Sequence, residues 1–276
     1  MVQDGLIRKD SEGNGRGSRA SDAEPDDFDP HVPRLGRRES EPHSAEVSYI
    51  HDVLLSNFPG DRPTWDLHHY FMLDGEEIDL RFDVSYFKGL HVDHTLSSYK
   101  AAEHGGRVPD LVINILSQST WTRDVGVTVE TCQALGIPVY VIFAPYDVAS
   151  RIYKPPFLRA HVMGSAGRYQ VHELREVTLK AGGVMKQEQV IDCGERLPFL
   201  FGLMELERKH AKGLPLYRLI LLDRESKEIL PTRAEQERAR AEQERARAEQ
   251  EKQRAEQEKQ RADKYLKALK EHGIEP

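Results

Sequence analysis

Asp83, Asp110 and Glu46 are the acids whose neighbours in the sequence could support chemistry. Asp83 ends an alternating run in which Asp79, Arg81 and Asp83 interleave with Leu80, Phe82 and Val84. On a strand those three polar residues share one face. Asp110 opens a short apolar run, Leu111 to Leu116, broken once by Asn114. Carboxylate oxygens are the usual ligands of Mg²⁺, one or two per ion with water completing the shell. Two acids on adjacent strands can hold such an ion and orient a water for attack on a phosphodiester. The bland alternative is that each acid sits in solvent or in a hydrogen bond, as most charged side chains do. A second set, His91, Asp93 and His94 with His68 and His69 upstream, has the residue types of a transition-metal site. It falls in a stretch that reads as loop, where nothing fixes a geometry. No Walker loop, dinucleotide glycine fingerprint, nucleophile elbow or HExxH is present.

The elements that must position these residues are legible from periodicity. SAEVSYIHDVLLSNF carries Val47, Ile50, Val53 and Leu54 at helical spacing, with Ser44 as a candidate N-cap. Two extended runs flank Asp74-Gly75, a hairpin signal. LVINIL reads as a buried strand, STWTRDVGVTVETCQAL as a helix ended by Gly136, and IPVYVIFAP as a second buried strand. Strand, helix, strand makes a parallel crossover unit. Beyond it, RYQVHEL, LYRLILLD and KEIL are strand-like, and they predict antiparallel strands that extend the sheet.

The 276 residues are 38% hydrophobic and 31% charged, with the excess of polar residues at the two ends. Residues 1–43 are too poor in apolar side chains to offset the cost of ordering and are expected to be disordered. Residues 44–231 form the expected globular domain. Residues 232–276 open with a seven-residue repeat, RAEQERA then RAEQEKQ. Its recurring apolar residue is only alanine, so a leucine-type seam is missing. Spacings such as Glu237 to Arg240 and Arg238 to Glu242 supply intrahelical ion pairs instead. The expected object is a long solvated helix or weak coiled coil, with self-association as its possible use. Two cysteines are too few for a disulfide framework or a cysteine zinc site. No apolar stretch reaches the roughly 20 residues of a membrane span, and the first residues lack a signal-peptide core. A cytoplasmic protein is expected. The net charge of -7 argues against strong non-specific nucleic-acid binding, which draws on Lys and Arg.

In order, GDRPTWDL, the hairpin, DVSYFKGL, SYK, PDLVINILSQST, RD and LGIPVYVIFAP resemble the Uma-two family of restriction endonucleases, within the PD-(D/E)XK nuclease superfamily. The resemblance covers about residues 44 to 230. It implies an α/β domain of restriction-endonuclease type, with a mixed central sheet flanked by helices. It also implies hydrolysis of DNA phosphodiesters with Mg²⁺ or Mn²⁺. Carried over position by position, the first-strand acid is Asp83, preceded by Phe82 where the family has Pro. The second-strand Glu falls on Asn114, Ser117, Ser119 and Thr120 match, the helix Asp is Asp124, and the Lys falls on Thr128. The implied catalytic positions are therefore Asp83, Asn114 and Thr128, with Asp83 and Asn114 as the implied metal ligands. Asp110 lies about 13 Å from Asn114 along a strand and reads as a strand-start residue. Glu130 is rotated about 200° from Thr128 around the helix. Lys88 and Lys100 remain possible outside cations. Two readings stay open: a metal-dependent DNA endonuclease impaired by Asn114 and Thr128, or a catalytically silent nuclease fold that binds or assembles through its C-terminal helix.

Overall fold

The computed structural model describes residues 40–148, 151–210 and 212–271. The expectation for the N-terminal segment therefore lies outside the described residues up to position 39. The chain opens with helix α1 (Glu41–Asn57), which starts three residues before the expected Ser44 because Pro42 is accepted in its first turn. The hairpin follows as β1 (Arg62–Leu73) and β2 (Glu76–Phe87). Asp74 and Gly75, at φ 52° and 87°, form the two-residue turn that needs positive φ at both positions.

A short strand β3 (Tyr99–Lys100) leads to β4 (Leu111–Ile115), helices α2 (Trp121–Asp124) and α3 (Val127–Ala134), and β5 (Val139–Ala144). This is the crossover expected from sequence, with β4 and β5 parallel and Asn114 opposite Ile142. The single expected helix is split at Val125–Gly126. Gly126 leaves helical geometry at φ -118°, ψ -101° and starts α3 afresh. Strands β6 (Phe157–Met163) and β7 (Tyr169–Leu174) complete a seven-stranded mixed sheet of order β3-β1-β2-β4-β5-β6-β7.

β8 (Phe199–Lys209) and β9 (Pro215–Asp223) do not extend that sheet. They pair with each other in a separate antiparallel ribbon, and the KEIL segment contributes only a bridge from Ile229 to Leu222. Helix α4 (Arg233–Glu271) follows. The fold is thus the expected α/β class, a mixed sheet with flanking helices and a long charged C-terminal helix. No helix of the described residues is long and apolar enough to cross a membrane.

Both faces of the sheet are covered, which is why β4 and β5 are buried at every position. On one face Val84, Tyr86, Leu111, Ile113 and Val141 pack against α1 and against the inner side of the β8–β9 ribbon, including Phe199, Phe201 and Leu219. On the other, Phe82, Val112, Tyr140 and Ile142 pack with Cys132 of α3 and Ile137 after it. The β2 side chains change faces midway: Phe82 belongs to the second cluster and Val84 to the first. Between them is Asp83. Opposite it on β1 the regular pairing skips Asp66, whose φ is 46°.

Candidate functional site

Asp83 sits where β2 and β4 part. Their ladder runs from Tyr86↔Leu111 to Val84↔Ile113 and stops there. One residue further, side chains replace the backbone bonds. The amide of Ile115 donates to Asp83 Oδ2 at 2.6 Å, and the amide of Asp83 approaches Asn114 Oδ1 at 3.4 Å. His43 of α1 reaches the same Asp83 Oδ2 through Nε2 at 3.2 Å. Asn114, buried on the α3 side of the sheet, donates from Nδ2 to Asp124 Oδ1 at 3.0 Å. The Asp124 carbonyl accepts from the Tyr140 hydroxyl at 2.8 Å, which fixes the end of α2 over β5. Thr128 is buried on α3, four residues after Asp124.

Burial is the main force on Asp124. It raises the carboxyl from 3.8 to about 6, and the negative charge of Asp83 adds to the rise. Hydrogen bonds from Thr120 and Asn114, and the Arg123 charge, pull the other way. Ser117, Ser119 and Thr120 are joined by hydroxyl hydrogen bonds of 3.1 and 2.9 Å from Ser117, so this polar run builds the turn that presents α2. Asp83, Asn114 and Asp124 thus form one connected cluster, with Thr128 on the same covered side.

The other candidates have structural work. Asp110 accepts from the Lys88 amide at 2.8 Å and pairs with Arg107 at 3.6 Å, clamping the end of β2. Glu46 is buried, accepting from Arg218 Nε at 3.1 Å and from the Leu219 amide at 3.3 Å. Burial pushes its carboxyl up to about 7. Glu130 is exposed. Lys88 Nζ donates to the Arg196 carbonyl at 3.2 Å, and Lys100 pairs with Glu103 at 3.7 Å. His91, Asp93 and His94 are exposed. His68 is held between Asp79, at 2.9 Å, and Arg81 Nε, also at 2.9 Å. His69 is a core residue whose burial lowers its pKa to about 4. The residue that sequence reasoning missed is His43: it lies 40 positions before Asp83, and no local spacing signals the contact.

The cluster does not line the cavity of about 450 Å³ formed by Arg175, Thr178, Lys186 and Tyr217 among others. Nor do the donors fit a complete divalent-ion centre. Among the described residues no three His, Cys, Asp or Glu side chains gather closely enough to hold a metal ion. Asn114 brings one neutral carbonyl oxygen and turns N–H hydrogens toward Asp124.

Comparison with known proteins agrees with the sequence resemblance. Residues 72–179 match the model of the Uma2 family, described as "Putative restriction endonuclease". That segment runs from the end of β1 past β7, so it contains Asp83, Asn114, Asp124 and Thr128. It leaves out α1 with His43 and Glu46, both strands of the ribbon, and α4. Among solved structures, a "putative nuclease belonging to DUF820" from Anabaena variabilis is similar, with 16% identity and a TM-score of 0.38 over 51% of this chain and 70% of that one. No curated protein matched the sequence.

Proposed function

We propose that the chain is a DNA-directed endonuclease of the Uma2 type in which metal-dependent phosphodiester hydrolysis is crippled by Asn114 and Thr128. The observation that carries this reading is the 3.0 Å bond from Asn114 Nδ2 to Asp124 Oδ1. At the position where the resemblance implies a Glu, this side chain spends its N–H on a neighbouring acid. It offers no negative charge to a cation. At the position implied for a Lys, Thr128 is buried and uncharged, so no ammonium is available there to stabilise an incoming hydroxide or the charge that builds on a phosphate. Removing one preorganised electrostatic group costs about 10²- to 10³-fold in rate. Two groups serving the same centre need not add.

Asp83 is the acid we assign to any residual Mg²⁺ or Mn²⁺ binding, with Asn114 Oδ1 as a weak neutral partner. When bound, such an ion would supply Lewis acidity toward a phosphate oxygen. His43 and the Ile115 amide hold the Asp83 carboxylate in place. Nicking of supercoiled plasmid with Mg²⁺ or Mn²⁺ tests the reading. The unmodified chain should nick slowly or not at all, and Asp83→Ala should abolish whatever is seen. Asn114→Glu with Thr128→Lys should raise both nicking and calorimetric metal binding. Vigorous cleavage by the unmodified chain, unchanged in Asp83→Ala, would overturn it.

The silent-module reading predicts a different pattern, in which the double variant binds metal yet cuts nothing. It is favoured by the net charge of -7 and by the long repeat-bearing helix α4.

A further inference from the structure

Helix α4 runs unbroken for 39 residues, about 58 Å at 1.5 Å per residue. Its root is fixed to the domain. Thr232 and Glu235 form a reciprocal capping box, with the Thr232 amide on Glu235 Oε2 at 2.7 Å and the Glu235 amide on Thr232 Oγ1 at 3.3 Å. The Arg233 amide donates to Asp52 Oδ2 at 3.0 Å, and Gln236 Nε2 reaches Asn57 Oδ1 of α1 at 3.1 Å. Beyond that root every side chain from Glu237 to Lys264 is exposed.

The seven-residue repeat does not scatter its charges. Only one pair of adjacent stripes on the helix is neutral: Gln243, Gln250 and Gln257 on one, Ala239, Ala246, Gln253 and Gln260 on the other. These alternate in steps of three and four residues, the spacing of an a/d seam. On one side the neutral pair is flanked by Glu242, Glu249, Glu256 and Asp263, which take the g positions. On the other it is flanked by Arg240, Arg247, Arg254 and Arg261, which take the e positions. The recurrent Ala241, Ala248 and Ala255 lie at f, facing away from the seam.

We propose that α4 pairs with α4 of a second copy of this chain as a parallel, in-register coiled coil. The charge pattern selects both partner and direction. In a parallel pair each g residue meets the e residue five positions later on the other helix. Glu242 then meets the partner's Arg247, Glu249 the partner's Arg254, and Glu256 the partner's Arg261, and the same contacts repeat on the opposite side. In an antiparallel pair g faces g and e faces e, so Glu meets Glu and Arg meets Arg, which is repulsive. The seam is narrow and polar, so association is weak and governed by charge. It joins two domains at a defined spacing and orientation.

The full chain tests this. By sedimentation equilibrium the mass should rise toward twice the monomer as concentration increases, and fall back in 1 M salt, where screening shortens to about 3 Å. Reversing the e positions (R240E, R247E, R254E and R261E together) should leave a monomer, as should reversing the g positions (E242K, E249K and E256K). An equimolar mixture of the two should restore the dimer, a rescue that helix loss could not produce. Both native cysteines are buried, so mild oxidation of Q253C, at the seam, should trap a covalent dimer, and A255C, at the outer face, should not. A chain that stays monomeric at every concentration, a mixture that stays monomeric, or equal trapping at both positions would overturn the proposal.

Discussion

Replacing Asp124 by Asn should stabilise the protein at pH 8 and do little at pH 4. Asp124 is only 6% exposed, and burial raises its carboxyl from 3.8 to about 6. The folded state therefore holds the Asp124 proton more tightly than the unfolded chain does. Above pH 6 the carboxylate is ionised in both states, and the folded state bears the cost of a buried charge. As pH falls from about 6 to about 4 the folded state takes up the proton first, and that cost disappears. The interval from 3.8 to about 6, at 1.36 kcal/mol per pH unit, gives about 3 kcal/mol. The Asn side chain keeps a carbonyl oxygen for Asn114 Nδ2, so the 3.0 Å bond survives the change. Urea unfolding of both proteins in EDTA at pH 4, 6 and 8 measures it. Taking the difference between the two proteins removes the parallel contribution of Glu46, which is also raised. The variant should gain roughly 2 to 3 kcal/mol at pH 8, nearly all of that at pH 6, about half near pH 5, and only about 0.5 kcal/mol at pH 4. A variant that is less stable at pH 8, or an offset that does not change with pH, would refute the claim that this cluster holds an uncompensated charge.

Other outcomes follow from particular contacts. Thr128→Lys alone should reduce the benefit of Asp124→Asn in the same titration, because an ammonium four residues away on the covered face supplies the missing counter-charge. Gly202→Ala should destabilise by about 1 to 3 kcal/mol in urea unfolding, the usual cost of overpacking. A Cβ there would stand 2.6 Å from Thr178 Oγ1, which is committed to the Leu203 amide at 2.9 Å. Asp110→Ala should cost about 1 kcal/mol through the lost Lys88 amide bond. It should leave metal binding in the Asn114→Glu, Thr128→Lys background unchanged by calorimetry.

The parts of the fold that rest on local rules were legible in the sequence. Asp74-Gly75 announced the hairpin, and the apolar runs around Asn114 and Val141 announced a parallel crossover. The break at Gly126 was not legible, because one glycine within a helical pattern is ordinarily tolerated. β6 shows no alternation because both of its faces are covered, and β9 reads as a strand of the main sheet although it pairs only with β8, just before it in the chain, in a separate ribbon. At the site, Asp83 stood out by its alternation and Asn114 as the one polar residue in an apolar run. Their link to Asp124 came only with the family resemblance. His43 could not be found from spacing at all, since its contact with Asp83 is made by packing α1 across the sheet. Glu46 and Asp110 look as catalytic in sequence as Asp83 does. Only their partners, Arg218 and the Lys88 amide, assign them to architecture.

The segment that matches the Uma2 model ends before the ribbon and begins after α1, yet one whole side of its sheet is covered by those two outside pieces. Cut at residues 72 and 179, the segment would present Val84, Tyr86, Ile113 and Val141 to water as a continuous greasy plane. It would also lose the imidazole that leans on Asp83. The matched stretch is therefore not a portable cassette. Anyone grafting it, swapping it between relatives or expressing it by itself must carry the flanks along, because they waterproof the sheet and steady its acid.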